Sequence, residues 1–141
     1  MDHRQLREEG ALLVASTIVA ALAVRILLYM APGVGGTQIA GVHVHHLLSG
    51  IVLIVLGGVP AVLLQSRSVL RSASVVGFGS GLGLALDEWL LFVVRESNPE
   101  TPYMSAVSLL GAAVIVSLAS AYALLVCALM RSGRARETTG H

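Results

Sequence analysis

Four long apolar stretches, separated by short polar breaks, dominate the pattern of the chain. They cover about residues 11–30, 42–64, 73–94 and 103–130. An α-helix rises 1.5 Å per residue, so about 20 residues cross the ~30 Å hydrocarbon core of a bilayer. The stretches lack the regular apolar–polar alternation of a membrane β-strand. The pattern therefore predicts an all-α fold, a four-helix transmembrane bundle that forms a single integral membrane domain over residues 1–141.

Arginine placement predicts the orientation of this bundle. Seven arginines lie before the first span, between the second and third spans, or after the fourth: Arg4, Arg7, Arg67, Arg71, Arg131, Arg134 and Arg136. The other two connections contain only Arg95. Because cytoplasmic connections are enriched in basic residues, we expect both termini to be cytoplasmic and the protein to be a multi-pass protein of the cell membrane.

Composition excludes several classes of protein. The chain is 55% hydrophobic and 12% charged, whereas about a quarter of the residues are charged in a typical soluble domain. A basic stripe for nucleic acid is missing from the sequence, and the single Cys127 excludes a disulfide scaffold. The expected partners are membrane lipids and further copies of the chain, because stripes of small residues suit contacts between helices.

Ionisable residues inside the apolar spans are the most informative polar positions. With the predicted orientation, all of them fall in the outer half of the bilayer, and three different helices supply them: Arg25, His43, His45, His46, Asp87 and Glu88. A charged side chain at the centre of a membrane helix costs about 2.5–3.5 kcal/mol. We therefore expect these side chains to converge in one pocket rather than to face lipid.

The third span predicts which of its sides packs against other helices. At 100° per residue, its small and acidic residues fall on two adjacent stripes: Val76, Ser80, Gly83 and Asp87, then Gly77, Gly81, Leu84 and Glu88. The opposite side carries Val75, Phe78, Leu82, Leu86 and Trp89. Since small residues let membrane helices approach closely, the glycine side is predicted to pack inward and the opposite side to face lipid.

The histidine segment and the Asp-Glu pair together resemble a ligand set for a divalent transition metal, zinc or iron first. Neutral imidazoles and carboxylates are the ligands of such sites. On a helix His43 and His46 share a face, and His45 points elsewhere, so either the segment is partly unwound or one histidine has another role. The predicted ligands are His43, His46 and one or both of Asp87 and Glu88, with His45 as a further candidate.

Three functions are compatible with this cluster. As a metal-dependent hydrolase, the protein would acidify a metal-bound water, with Glu88 or Asp87 as the catalytic base and Arg25 as the charge partner of the unbound carboxylate. Alternatively, the His/Asp/Glu cluster translocates protons or ions. In the third interpretation the protein is a membrane scaffold, and the polar cluster only locks its helices together.

Two segments of the chain resemble a known group of proteins. These are His43-Val44-His45-His46-Leu47-Leu48-Ser49-Gly50 and Gly79-Ser80-Gly81-Leu82-Gly83-Leu84-Ala85-Leu86-Asp87-Glu88. They are similar to segments of small prokaryotic integral membrane proteins that carry a His-x-His-His segment on one span and a Gly-rich Leu-Asp-Glu segment on the next. The resemblance implies a prokaryotic four-span protein in which the two segments meet, and it implies no particular reaction.

Overall fold

The computed structural model describes residues 3–31, 38–39, 42–43, 46–64, 68–97 and 104–139. Within these residues the chain forms four helices, α1 (His3–Met30), α2 (His46–Leu63), α3 (Val69–Ser97) and α4 (Ala106–Thr139). Two short strands, β1 (Gln38–Ile39) and β2 (Val42–His43), pair antiparallel between α1 and α2. Each helix contains a stretch long and apolar enough to cross a membrane. The prediction of an all-helical protein with four such helices is confirmed.

The boundaries of the helices differ from the predicted spans, most clearly at the second. The prediction that this helix begins at residue 42 is wrong, because α2 begins at His46. The backbone of His43 instead pairs with Gln38 in the β1–β2 ladder. Pro60 does not end α2, which continues to Leu63. α1 and α4 both extend beyond their apolar stretches, to His3 at the start of α1 and Thr139 at the end of α4.

The third helix lies at the centre of the bundle. α2 packs on one side of α3 and α1 on another, and these are the two most extensive contacts between helices. α4 contacts α1 and α3 less extensively. α1 runs parallel to α3, since Leu13 lies against Gly79 and Arg25 against Asp87. α1 and α2 are therefore positioned mainly by their contacts with α3, whereas α4 contacts α1 and α3 about equally.

Glycines on α3 allow both neighbouring helices to approach its backbone. A Cβ atom added at Gly83 would collide with the carbonyl oxygen of Thr17 on α1, and one added at Gly81 would lie 2.5 Å from the carbonyl oxygen of Gly50 on α2. Membrane helices approach this closely only where the interface residues are small. The predicted glycine side of α3 thus does pack, but against two helices in two directions.

The predicted division of α3 into a packed side and a lipid side is wrong at two residues. Val75 is buried, with 8% of its surface exposed, and Val76 is 38% exposed. The reason is that Val75 lies one turn from Gly79 on the stripe that faces α1. Trp89, predicted to face lipid, is 53% exposed, in agreement with that prediction.

Candidate functional site

The most deeply buried large side chains of the described residues are polar. They are Glu88, Asp87 and Ser108, with 2%, 1% and 1% of their surface exposed. Together with Arg25 and His46 they form a group that we call the polar cluster. Its members come from all four helices, and each lies at the same end of the bundle, where α1 ends and α2 begins.

Arg25 connects three helices within the polar cluster. Its Nε forms an ion pair with Oδ1 of Asp87 on α3. Its Nη2 donates to the carbonyl oxygen of Ser108 on α4 at 3.3 Å and to the Ser108 hydroxyl at 3.2 Å. Because guanidinium is planar and has five N–H donors, one Arg25 side chain on α1 can hold α3 and α4 at the same time.

Glu88 binds the first turn of α2. Its Oε2 accepts a hydrogen bond of 2.6 Å from the backbone N–H of Leu47. The first N–H groups of a helix have no acceptor within the helix, and the N-terminus carries a partial positive charge. A carboxylate on α3 therefore supplies the acceptor and the negative charge that the start of α2 favours.

The imidazole of His46 lies between the two carboxylates of α3. Its Nε2 is 3.4 Å from Oδ2 of Asp87, and its Nδ1 is 3.3 Å from Oε2 of Glu88. The His46 side chain is 19% exposed. A neutral imidazole has one donor nitrogen and one acceptor nitrogen, so it cannot donate to both carboxylates. The two contacts therefore cannot both be hydrogen bonds from a neutral ring to ionised carboxylates.

The structure brings four of the six predicted residues together: Arg25, His46, Asp87 and Glu88. The backbone of His43 lies on β2, outside α2, and its side chain is not among those described. His45 lies outside the described residues. Within the described part of the chain, no group of three or more His, Cys, Asp or Glu side chains is arranged to hold a metal ion. The metal and catalytic roles assigned to these residues stay predictions.

Sequence reasoning missed a second ion pair, at the other end of the bundle. Arg71 on α3 donates from Nε and Nη2 to the two carboxylate oxygens of Glu9 on α1, at 2.6 and 2.9 Å. Both side chains are 13% exposed. Gln5 also donates to Glu9, at 2.8 Å, and Arg71 reaches the carbonyl oxygen of Leu64. A signal was available, because Glu9 precedes Arg25 by the same interval as Arg71 precedes Asp87.

The charges of the polar cluster limit what it can do. With Arg25 and both carboxylates ionised and His46 neutral, the cluster carries one net negative charge. An uncompensated charge on side chains that are buried this deeply costs free energy. A divalent metal between His46 and a carboxylate would reverse that charge. The cluster is therefore suited to hold a cation at His46.

Comparison with known proteins adds no assignment to this geometry. The chain matches no protein-family model, no curated protein and no solved structure. The resemblance of its histidine and Gly-rich segments to small prokaryotic membrane proteins therefore stays a prediction. Four helices of the described residues are long and apolar enough to span a membrane.

Proposed function

We propose that this protein is a multi-pass protein of a prokaryotic cell membrane that binds a divalent transition metal, zinc or iron first, between His46 and Asp87. Both termini are cytoplasmic in this proposal, because seven arginines lie on that side and Arg95 alone on the other. The polar cluster then lies in the outer half of the bilayer, near the outer ends of the helices.

The observation that carries the proposal is the position of the His46 ring between two carboxylates. The 3.4 Å distance from Nε2 to Oδ2 of Asp87 exceeds the ~2.7–3.2 Å range of a good N–H···O hydrogen bond. Metal bonds of about 2.0–2.1 Å at a tetrahedral angle of about 109° place two ligand atoms about 3.4 Å apart. The separation therefore fits a metal ion that bonds to both atoms.

The other contacts of the cluster suit the surroundings of such a metal. Metal-bound histidines usually donate their second ring N–H to a carboxylate, which fixes the tautomer and the ring orientation. Glu88 lies on that side of the ring, with Oε2 at 3.3 Å from Nδ1 of His46, which is also just beyond the range of a good hydrogen bond. Oδ1 of Asp87 is held by Arg25, so the ligating carboxylate would also be oriented. Arg25 thus pairs with the proposed ligand, whereas the sequence predicted it beside the carboxylate that does not bind the metal.

His43 and His45 remain the sequence-based candidates for the other ligands, and water is the alternative. A hydrolytic reaction would need one coordination position open to water, which Glu88 or Asp87 would deprotonate. That activity stays a prediction, and metal binding is the part that the described contacts support.

A structural lock is the second candidate function, and one specific observation favours it. Arg25 donates to Ser108 as well as to Asp87, so it ties α4 to α1 and α3 without any metal. The hydrogen bond from the Leu47 N–H to Glu88 joins α2 to α3 in the same way. The two candidates differ in one measurable respect, the metal content of the purified protein.

Elemental analysis of the full chain in detergent, purified without chelator and then loaded with Zn²⁺ or Fe²⁺ and desalted, tests the proposal. We expect about one metal ion per chain, and a loss of at least tenfold in His46→Ala and Asp87→Asn. The matched control is Glu9→Gln, which removes a buried carboxylate from the other ion pair and should retain the metal. Loss of metal in His43→Ala or His45→Ala would identify further ligands.

Two results would reject metal binding at this position. One is a wild-type protein that retains no metal after loading, which would leave the structural lock. The other is full metal content in both His46→Ala and Asp87→Asn, which would place the ion elsewhere.

A further inference from the structure

A groove runs along the seam between α1 and α4, and its two ends differ in polarity. Its volume is about 580 Å³, within the ~300–1,000 Å³ range of ligand sites. Most of its length is lined by apolar or small side chains, such as Ile18 and Leu22 on α1 and Ala113 on α4. Its charged lining residues, Arg25 and Asp87, lie at the end that meets the polar cluster. The groove therefore offers apolar walls to a hydrocarbon chain and a charged end to a polar group.

The length of the groove matches one leaflet of a bilayer. On α1 the groove extends from Arg25 to Val14, which is about 17 Å of helix. The ion pairs of Glu9 and Arg25 lie about 24 Å apart along the same helix. A hydrocarbon core of ~30 Å that is centred on these two pairs places Arg25 about 3 Å below its outer edge in the proposed orientation. The groove then runs inward from the headgroup level through the ~15 Å of the outer leaflet.

Of the two charged side chains at this end, Arg25 is the one that a ligand in the groove can reach. The Arg25 side chain is 11% exposed, whereas that of Asp87 is 1% exposed. Arg25 and His46 both lie against the Asp87 carboxylate. A guanidinium is always charged, and its planar fork of N–H donors matches the oxygens of a phosphate group. The charged end of the groove therefore presents a cation to its ligand.

We infer that the groove binds an anionic glycerophospholipid of the outer leaflet, with one acyl chain between α1 and α4 and the phosphate beside Arg25. This inference rests on the metal proposed between His46 and Asp87, because that metal sets the charge of the site. With a divalent metal, Arg25, a neutral His46 and two ionised carboxylates, the polar cluster carries one net positive charge. A phosphodiester with an uncharged headgroup carries one negative charge, so the lipid neutralises the loaded cluster. Without the metal the cluster is net negative and repels the same lipid.

Native mass spectrometry of the metal-loaded full chain in detergent tests the charge of the ligand. Phosphatidylglycerol, which carries one net negative charge, and zwitterionic phosphatidylcholine with the same acyl chains are added separately. We expect phosphatidylglycerol to bind at one lipid per chain and at least about tenfold more tightly, the equivalent of one charge-assisted hydrogen bond. Chelation of the metal should remove this preference. Equal affinities of the metal-loaded protein for the two lipids would overturn the inference.

Two variants test the position of the lipid in the same assay. Ala113→Leu places a larger side chain in the groove and should weaken phosphatidylglycerol binding at least about tenfold, while the metal content stays unchanged. The matched control is Ala23→Leu, at an exposed residue of α1 that does not line the groove, and it should bind like the wild type. Arg25→Met should abolish the preference for the anionic lipid. Wild-type lipid binding in Ala113→Leu would place the lipid elsewhere and reject the inference.

The possible failures of the two proposals are distinguishable. A chain that retains metal but binds both lipids equally, or neither of them, rejects the lipid site and leaves the metal proposal intact. A lipid-free dimer that Ala113→Leu dissociates would show that a second copy occupies the groove, and it would also reject the lipid site. A wild type that retains no metal rejects the proposed function by elemental analysis, before any lipid is added, and removes the positive charge on which the lipid site depends.

Discussion

The ion pair between Arg25 and Asp87 provides the most direct test of how the polar cluster stabilises the bundle. Removing one partner of a buried pair costs about 3–5 kcal/mol, because it leaves the other charge uncompensated, whereas removing both is much less costly. Only 11% of the Arg25 side chain and 1% of the Asp87 side chain are exposed. The pair therefore belongs to the buried class.

We expect Arg25→Met to lower the free energy of unfolding by about 3 kcal/mol. The cost is at the lower end of the range because His46 still faces Asp87 at 3.4 Å. Asp87→Asn should cost a similar amount, since Arg25 keeps its hydrogen bonds to Ser108. The double variant should cost about 1 kcal/mol rather than about 6, because it leaves no uncompensated charge, which corresponds to a coupling energy of about 5 kcal/mol.

Unfolding by a denaturing detergent can be followed by the fluorescence of Trp89, the single tryptophan of the chain. Chelator is included throughout, so that changes in bound metal do not contribute. The matched control is the cycle of Arg4→Met and Glu8→Gln, a pair whose side chains are 78% and 52% exposed. Its coupling should stay below about 1 kcal/mol. Additive costs for Arg25 and Asp87, within about 0.5 kcal/mol, would refute the reasoning.

Two further predictions concern the helix interfaces. Gly57→Ala should destabilise the protein by about 2 kcal/mol, because the added Cβ would lie 2.6 Å from the carbonyl oxygen of Ser74. Gly77→Ala should be neutral or stabilising in the same detergent-unfolding assay, since its Cβ would meet its nearest neighbour at 3.7 Å. Equal effects of the two substitutions would contradict the packing. Arg71→Gln should lower the free energy of unfolding by about 2 kcal/mol, because it removes the bidentate ion pair with Glu9. The metal content of this variant should not change. A parallel loss of metal would show that the two ends of the bundle are coupled.

The sequence predicted the convergence of the polar residues because their burial in lipid is so costly. Arg25, Asp87 and Glu88 each interrupt an apolar span, and few arrangements satisfy all of them. The sequence could not predict that Val75 is buried and Val76 is exposed. In a membrane, lipid and protein surfaces are equally apolar, so hydrophobicity does not distinguish a packed valine from a lipid-facing one.

The histidine segment shows a second limit of prediction from the sequence. Hydropathy placed His43 on the same helix as His46, because both belong to one apolar stretch. The pairing of His43 with Gln38 depends on a residue in the preceding connection, which periodicity within the stretch does not report. The capping of the Leu47 N–H by Glu88 is also non-local, since its two partners lie on different helices.

The arrangement of α1 beside α3 follows from charges that the sequence displays but hydropathy ignores. Sixteen residues separate Glu9 from Arg25 on α1, and sixteen separate Arg71 from Asp87 on α3. This interval corresponds to about 24 Å of helix. The Glu9–Arg71 and Arg25–Asp87 pairs therefore form together, at the two ends of one parallel interface.

Successive membrane crossings already make α1 and α3 parallel, and the signs of these charges agree with that direction and specify the register. If α1 ran antiparallel to α3, Glu9 would face Asp87 and Arg25 would face Arg71, so both ends would carry like charges. A shift of α1 by one turn, about 5.4 Å, would separate both ion pairs at once. Apolar contacts between membrane helices give little preference among such alternatives, since lipid is an equally good neighbour. The two ion pairs supply that preference, and the one at Asp87 also holds the carboxylate beside His46.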